Sequence, residues 1–445
     1  MSNLNRLRAA AAALSMAGLL VACGQPMPTP DAGSTGGGSA GGTTGGGTAG
    51  GAGGGMGGGM AGGTANDAGT VTFRTFTAPS TTPVNGSFLF TITAEESASE
   101  GFGFPPPAGS TEPFFIDGWE VKYDHLLTTV DNVTLSSNPD MNPNDPAMTG
   151  PVVARANGPW AIDLAKEGPL TAKEMEGKAF PLVRLTNQSA VTGTPAFSTT
   201  AKYAFGFDLV AADANPIDVN LDADAKAAYQ VMRNNGWSYW IKGTATYRGT
   251  MGTPACRSTN MMYDYARIPK VVNFTFGWRV PTSYKNCLNQ ELMPMDSRGV
   301  QLGANGAEAV AQMTLHNDHP FWDALEEDAP LRFDAIAARK SVAAGMTAPA
   351  MVSVTNADLQ GVDFEALADA QGTRLPIRYC GATSATERTM GNLAYDPKGV
   401  PVNAMGSAMG LKDLYDYMAY NLSTFGHLNA GEGLCVAQRQ YPSPP

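Results

Sequence analysis

The chain reads as a mainly β protein, with sandwich- or barrel-like antiparallel sheets and a few peripheral helices. Three observations predict this class. Short segments alternate apolar and polar residues with a period of two, as in Ser87 to Ala94 and Trp119 to Tyr123. Gly and Pro clusters punctuate them, as at Phe104 to Pro107 and Asn138 to Pro151. Segments with a helical period are few.

The first element in order is Met1 to Cys23. Arg6 and Arg8 make a short basic start, and Ala9 to Ala22 is an apolar run too short for a permanent membrane helix. The run ends in Leu20-Val21-Ala22-Cys23, which resembles the lipobox of bacterial lipoproteins. The resemblance implies cleavage of residues 1–22, lipidation of Cys23 by acyl chains such as palmitate, and membrane attachment through that lipid. In that family an Asp after the Cys favours inner-membrane retention. Gly24 follows here, which implies the outer membrane or cell surface, facing the periplasm or the exterior.

Residues 23–69 form a lipidated Cys and a tether. Gly33 to Gly63 holds 19 Gly in 31 residues, too little apolar area to offset the entropy of ordering. Such a coil spans roughly 35–40 Å. No strand precedes it and no Lys-Ser/Thr closes it, which excludes a phosphate-binding loop. Met56 and Met60 are soft donors suited to Cu(I), but only two.

Residues 70–445 are the folded part, as one large unit or two merged β units. Strands are expected at 87–94, 119–123, 160–164, 180–185, 202–210, 237–247, 271–280 and 309–315. In the first of these, Phe88, Phe90 and Ile92 make a buried face and Ser87, Thr91 and Thr93 a wet one. A helix is expected from Asp222 to Asn235, with acids in its first turn and Gly236 as its stop. One or two helices, broken at Pro330, are expected over Pro320 to Lys340. A third runs over Leu411 to Phe425, where Leu411, Leu414, Tyr415, Met418, Leu422 and Phe425 form a core-facing stripe.

Of 29 Lys and Arg the leader carries two, so the mature chain sets 27 bases against 40 acids, a net charge of −13. That balance argues against nucleic acid as a partner. With Cys23 lipidated, Cys256, Cys287, Cys380 and Cys435 make an even set, which in an exported domain implies two disulfides. Pairing of sequence neighbours, Cys256 with Cys287 and Cys380 with Cys435, is the simplest of three arrangements. No CxxC pair favours zinc.

Catalytic motifs are scarce. Gly406-Ser-Ala-Met-Gly410 has its Ser one place too early for a nucleophile elbow, and HExxH does not occur. Glu95-Glu96 and Glu326-Glu327 read as solvated surface acids. Chemistry concentrates instead in His316-Asn317-Asp318-His319-Pro320-Phe321-Trp322-Asp323, which carries two of the four His. At a strand-to-helix turn, His316, His319 and Asp318 or Asp323 form a two-His-one-carboxylate set suited to Zn, Cu or Fe. His125 and His427 are further candidate ligands, and Asp124 a candidate orienting carboxylate.

Asp218-Val-Asn220-Leu-Asp222-Ala-Asp224 resembles the start of a calcium loop of the EF-hand and dockerin kind. Ala223 stands where that loop wants Gly and Tyr229 where it wants a bidentate acid, so helix capping by Asp222 is the preferred reading and calcium is not expected. Trp240 shares its strand face with Ser238 and Lys242, which marks it as a candidate exposed ring for glycan or protein binding. The leading expectation is thus a transition-metal-binding envelope lipoprotein. A non-enzymatic module for an unknown glycan or protein partner comes second, and a hydrolase whose site only the fold assembles comes third.

Overall fold

The computed structural model describes residues 69–110, 112–173, 177–249, 267–294, 297–322, 329–343, 345–360, 414–429 and 433–439. Cys23, Cys256, Cys380, Asp323, Glu326-Glu327, the leader and the tether up to residue 68 lie outside them. The strands are β1 (Arg74–Thr75), β2 (Phe88–Thr93), β3 (Trp119–Ser137), β4 (Val152–Ala156), β5 (Trp160–Asp163), β6 (Leu170–Thr171), β7 (Lys178–Leu185) and β8 (Tyr203–Leu209). They continue with β9 (Ile217–Asp218), β10 (Tyr239–Tyr247), β11 (Val271–Trp278), β12 (Thr282–Lys285), β13 (Ala309–Leu315), β14 (Met351–Thr355), β15 (Gly426–Leu428) and β16 (Val436–Arg439).

Two sheets result, and neither closes into a barrel. The larger runs β1-β9-β5-β3-β10-β11-β14, with β4, β8, β12 and β16 joined beside β3. The smaller runs β15-β13-β2-β7-β6. They are mixed rather than purely antiparallel, because β2 pairs parallel with β13, β11 with β14, and β9 with both β1 and β5. The smaller sheet therefore holds a parallel pair at its centre, and the site described below sits at the end of that pair.

The sheets meet through an aromatic ladder. Phe90 stacks on Phe205 at 5.6 Å, Phe88 meets Tyr203 edge-on at 5.7 Å, and Phe205 continues to Phe207 and Tyr284. Period-two alternation puts these rings on one face, and burying each large apolar side chain contributes on the order of 2 kcal/mol. The expected wet face of β2 is buried as well. β2 is a central strand, and its threonine face is covered: across it the Lys173 N–H donates to Gln312 Oε1 on β13.

The opposite face of the large sheet carries a second, smaller core. Here helix α2 (Ala223–Asn235), which follows the short α1 (Glu96–Glu100) and is the longest among the described residues, lays Ala225, Tyr229 and Met232 over Leu127 and Trp240. Its ends follow the sequence. Asp222 Oδ1 accepts from the Ala225 N–H at 2.9 Å, and Gly236 ends the helix at φ 65, a left-handed conformation that glycine adopts without strain. Trp240 is only 6% exposed beneath this helix, so it is core and not a surface platform.

Of the one or two helices expected over 320–340, the described residues show only short pieces. A single 3-10 turn at His319–Phe321 ends where Trp322 turns extended, and after the undescribed 323–328 come α3 (Asp334–Ala337) and a further 3-10 turn. Beyond them lie α4 (Asn356–Leu359) and α5 (Leu414–Leu422). α5 buries Leu414, Met418 and Leu422 of the expected stripe, and Phe425 is buried just beyond its end; Tyr415 is half-buried, Tyr417 is buried in addition, and Leu411 lies outside the described residues. Cys287 is bonded to Cys435, which replaces the neighbour pairing expected from sequence. The bond joins the end of β12 to the start of β16, strands already paired antiparallel.

Candidate metal centre

The site forms where the parallel strands β2 and β13 both end. Their register pairs Thr93 with Thr314. Two residues further along each chain stand Glu95 and His316, and Glu95 Oε1 lies 2.9 Å from His316 Nδ1. β15 flanks β13 on the other side and sets His427 opposite Thr314. The His316 N–H donates to the carbonyl of Phe425, tying this end of β13 to the segment between α5 and β15.

Past His316 the chain turns through Asn317 and Asp318 into the 3-10 turn that begins at His319. One ligand atom each of His316, Asp318 and His319 lies within 4.8 Å of the other two. The His427 ring stands 4.1 Å from that of His316 and 5.8 Å from that of His319, at the edge of this group. His319 is buried and stacks on Trp322 at 3.7 Å, while the Trp322 indole N–H donates to Asp318 Oδ2 at 3.2 Å. Tyr417 on α5 donates to the Trp322 carbonyl, and Tyr123 on β3 to that of Asn317, so the turn is braced from both sides.

Hydrogen bonding fixes where the Nδ1 protons of the rings sit. The Thr424 hydroxyl donates its one hydrogen to the Asn421 carbonyl at 2.7 Å. Its oxygen, 2.9 Å from His319 Nδ1, therefore accepts from that nitrogen; the Asn421 carbonyl at 3.4 Å, which only accepts, imposes the same direction. His319 thus carries its proton on Nδ1 and a lone pair on Nε2. The Glu95 carboxylate likewise places a proton on Nδ1 of His316. An oxygen partner on Nδ1 with a lone pair on Nε2, as in His319, is the arrangement that orients imidazole toward a metal.

Burial, followed by the neighbouring His316 and His427 rings, holds the His319 imidazole well below its ordinary pKa, so it is neutral at pH 7. Burial and then the Glu95 charge push the Asp318 carboxyl up to about 6, against the opposing pull of His316 and the Trp322 N–H. Asp318 Oδ1 is sealed from solvent with no hydrogen-bond partner among the described residues, although part of the residue reaches the surface. A buried acceptor in that state costs about 1–3 kcal/mol, which a bound cation would offset.

Glu95 was read from sequence as a surface acid, and it is the residue sequence reasoning missed. Its backbone, at φ 68 and ψ 173, lies in a region essentially reserved for glycine. The only signal in the sequence was positional: Glu95 follows the Thr93 end of one strand as His316 follows the Thr314 end of another.

His125 is not part of this group. The register of β3 against β10 slips between His125 and Tyr123, so one extra residue, Asp124, bulges out of β3. The bulge reverses the side-chain alternation. Tyr123 faces the core beside the site, whereas His125 faces the α2 side, near Trp240. There its Nδ1 meets the buried Asp163 carboxylate at 2.8 Å. Asp124 pairs with Lys242 at 4.0 Å rather than with an imidazole. The calcium-like stretch is likewise committed elsewhere: Asp222 caps α2 and pairs with Lys166, and Asp218 pairs with Lys226.

No family model, no curated protein and no solved structure matches this chain.

Proposed function

We propose that this protein is a cell-envelope lipoprotein that binds one transition-metal ion through His316, His319 and Asp318. Glu95 orients His316, and His427 stands at the rim. The observation that carries this reading is the convergence of three ligand atoms within 4.8 Å around a sealed carboxylate oxygen. Two imidazoles and one carboxylate suit Zn, Cu or Fe, whereas Ca²⁺ prefers an all-oxygen shell. A glycan-binding face gains no support among the described residues, where five of the six Trp are buried and Trp237 is half-buried.

Support for the envelope location is the Leu20-Val21-Ala22-Cys23 stretch and the Gly-rich run after it. Among the described residues no helix is long and apolar enough to cross a membrane. Elemental analysis of the full mature chain, purified without chelator, tests the metal reading. One transition metal per chain is expected, lost in His316→Ala/His319→Ala while the circular dichroism spectrum is kept. Absence of metal in the unaltered protein, even after soaking with Zn, Cu and Fe, would refute it. Detergent-phase partitioning of the unaltered chain against Cys23→Ser tests the anchor separately.

A further inference from the structure

A metal ion at this centre would satisfy Asp318 Oδ1 but not the other polar atoms buried around it. Asn317 and Asn421 are 1% and 2% exposed, and the Nδ2 of each has no hydrogen-bond partner among the described residues. The same holds for the hydroxyl of the fully buried Tyr239. All three belong to the site's surroundings. Asn317 lies between two of the ligands, and its Oδ1 accepts from Ser97 at 2.7 Å, which leaves its NH₂ group to serve. Asn421 accepts the His319 Nδ1 proton on its backbone carbonyl. Tyr239 packs edge-on at 5.1 Å against Phe425, whose carbonyl receives the His316 N–H. Burial, then the Tyr123 phenol and the Asp318 and Glu95 carboxylates, hold the Tyr239 hydroxyl well above its ordinary pKa, so it keeps its proton.

These groups carry hydrogens, and a cation repels them. They are satisfied by lone pairs, and buried polar groups in proteins are nearly always satisfied. An oxygen atom bound to the metal brings such lone pairs. Three protein ligands with one exchangeable position is also the pattern of open, reactive zinc centres, as opposed to closed structural ones. Building on the metal reading above, we propose that the centre is open, and that its remaining position takes a small oxygen-donor ligand held by Nδ2 of Asn317, Nδ2 of Asn421 and the Tyr239 hydroxyl. That ligand is either derived from water or a small oxyanion, since the donors recognise oxygen lone pairs and their burial admits only a small molecule.

Co(II) loading of the full mature chain tests this, with acetate and inorganic phosphate as probes. Saturable changes in the visible Co(II) bands are expected when either anion is added after dialysis into anion-free, non-coordinating buffer. Tyr239→Phe and Asn421→Ala should each weaken that anion response about tenfold, the scale of one lost hydrogen bond, while Co(II) content stays at the unaltered level. Ion chromatography of the protein as purified separates the sources. A stoichiometric oxyanion that co-purifies identifies an anion ligand, and none, with the Co(II) response intact, identifies a water-derived one. Bound Co(II) whose bands ignore both anions would overturn this inference and leave the metal site standing. So would an undiminished response in both variants. Failure to bind Co(II) at all would instead sink the metal reading beneath it.

Discussion

Glu95 gives the sharpest test of how the centre is built, because two of its features pull in opposite directions. Its carboxylate holds His316 at 2.9 Å, while its backbone sits at φ 68 and ψ 173. Strain of that kind costs about 1–3 kcal/mol in a residue with a Cβ and almost nothing in glycine. Replacement by Ala removes the carboxylate and keeps the strain; replacement by Gly removes both. Gly also loses about 0.5–1 kcal/mol through the extra freedom it gives the unfolded chain. The net expectation is that Glu95→Gly is more stable than Glu95→Ala by roughly 1–2 kcal/mol, the reverse of the usual order. Loss of the Glu95–His316 contact is common to both variants and cancels from their difference. Metal affinity should fall in both by about 10–100-fold, the effect of removing an orienting carboxylate from a ligating imidazole. Urea unfolding of the metal-free proteins and competition titration with a chromophoric chelator supply the two readouts. An Ala variant as stable as the Gly variant would refute the strain argument, and unchanged affinity in both would refute the orienting role.

Three further outcomes are expected. Burial and the adjacent Asp334 push the Asp117 carboxyl up to about 8. The native state therefore holds a proton that the unfolded chain releases near pH 4, and this favours folding only below about pH 8. Stability should decline as pH rises from about 4 to about 8. Asp117→Asn, which still accepts the Phe333 and Asp334 N–H groups, should remove that decline and be more stable at pH 8 by on the order of 2 kcal/mol in urea titrations. Asp222→Ala should cost about 1 kcal/mol through the lost helix cap, with melting temperature indifferent to calcium before and after the change. Replacing Cys287 and Cys435 together by Ser should cost about 2–5 kcal/mol in denaturant titrations run without reductant, since the bond closes a sequence separation of 148 residues.

Local physics determined much of what could be read from this sequence. The ends of α2 follow from an Asp that caps its own helix and a Gly that stops it, both contacts within four residues along the chain. The strands around Phe88, Trp119, Phe205 and Trp240 follow from period-two alternation. Convergence of His316, Asp318 and His319 was legible for the same reason, because all three sit on one turn. Pairing across long distances was not legible. Glu95 meets His316 because β2 and β13, 221 positions apart, run parallel in one register, and nothing in either segment names its partner. The Cys287–Cys435 bond, likewise, follows from the pairing of β12 with β16. His125 leaves the site because a single bulged residue turns the side chains after it to the other face, until a second irregularity between Asp131 and Thr134. Alternation tells which residues share a face of a strand, but only the assembled sheet decides which face, and which neighbour, each strand receives.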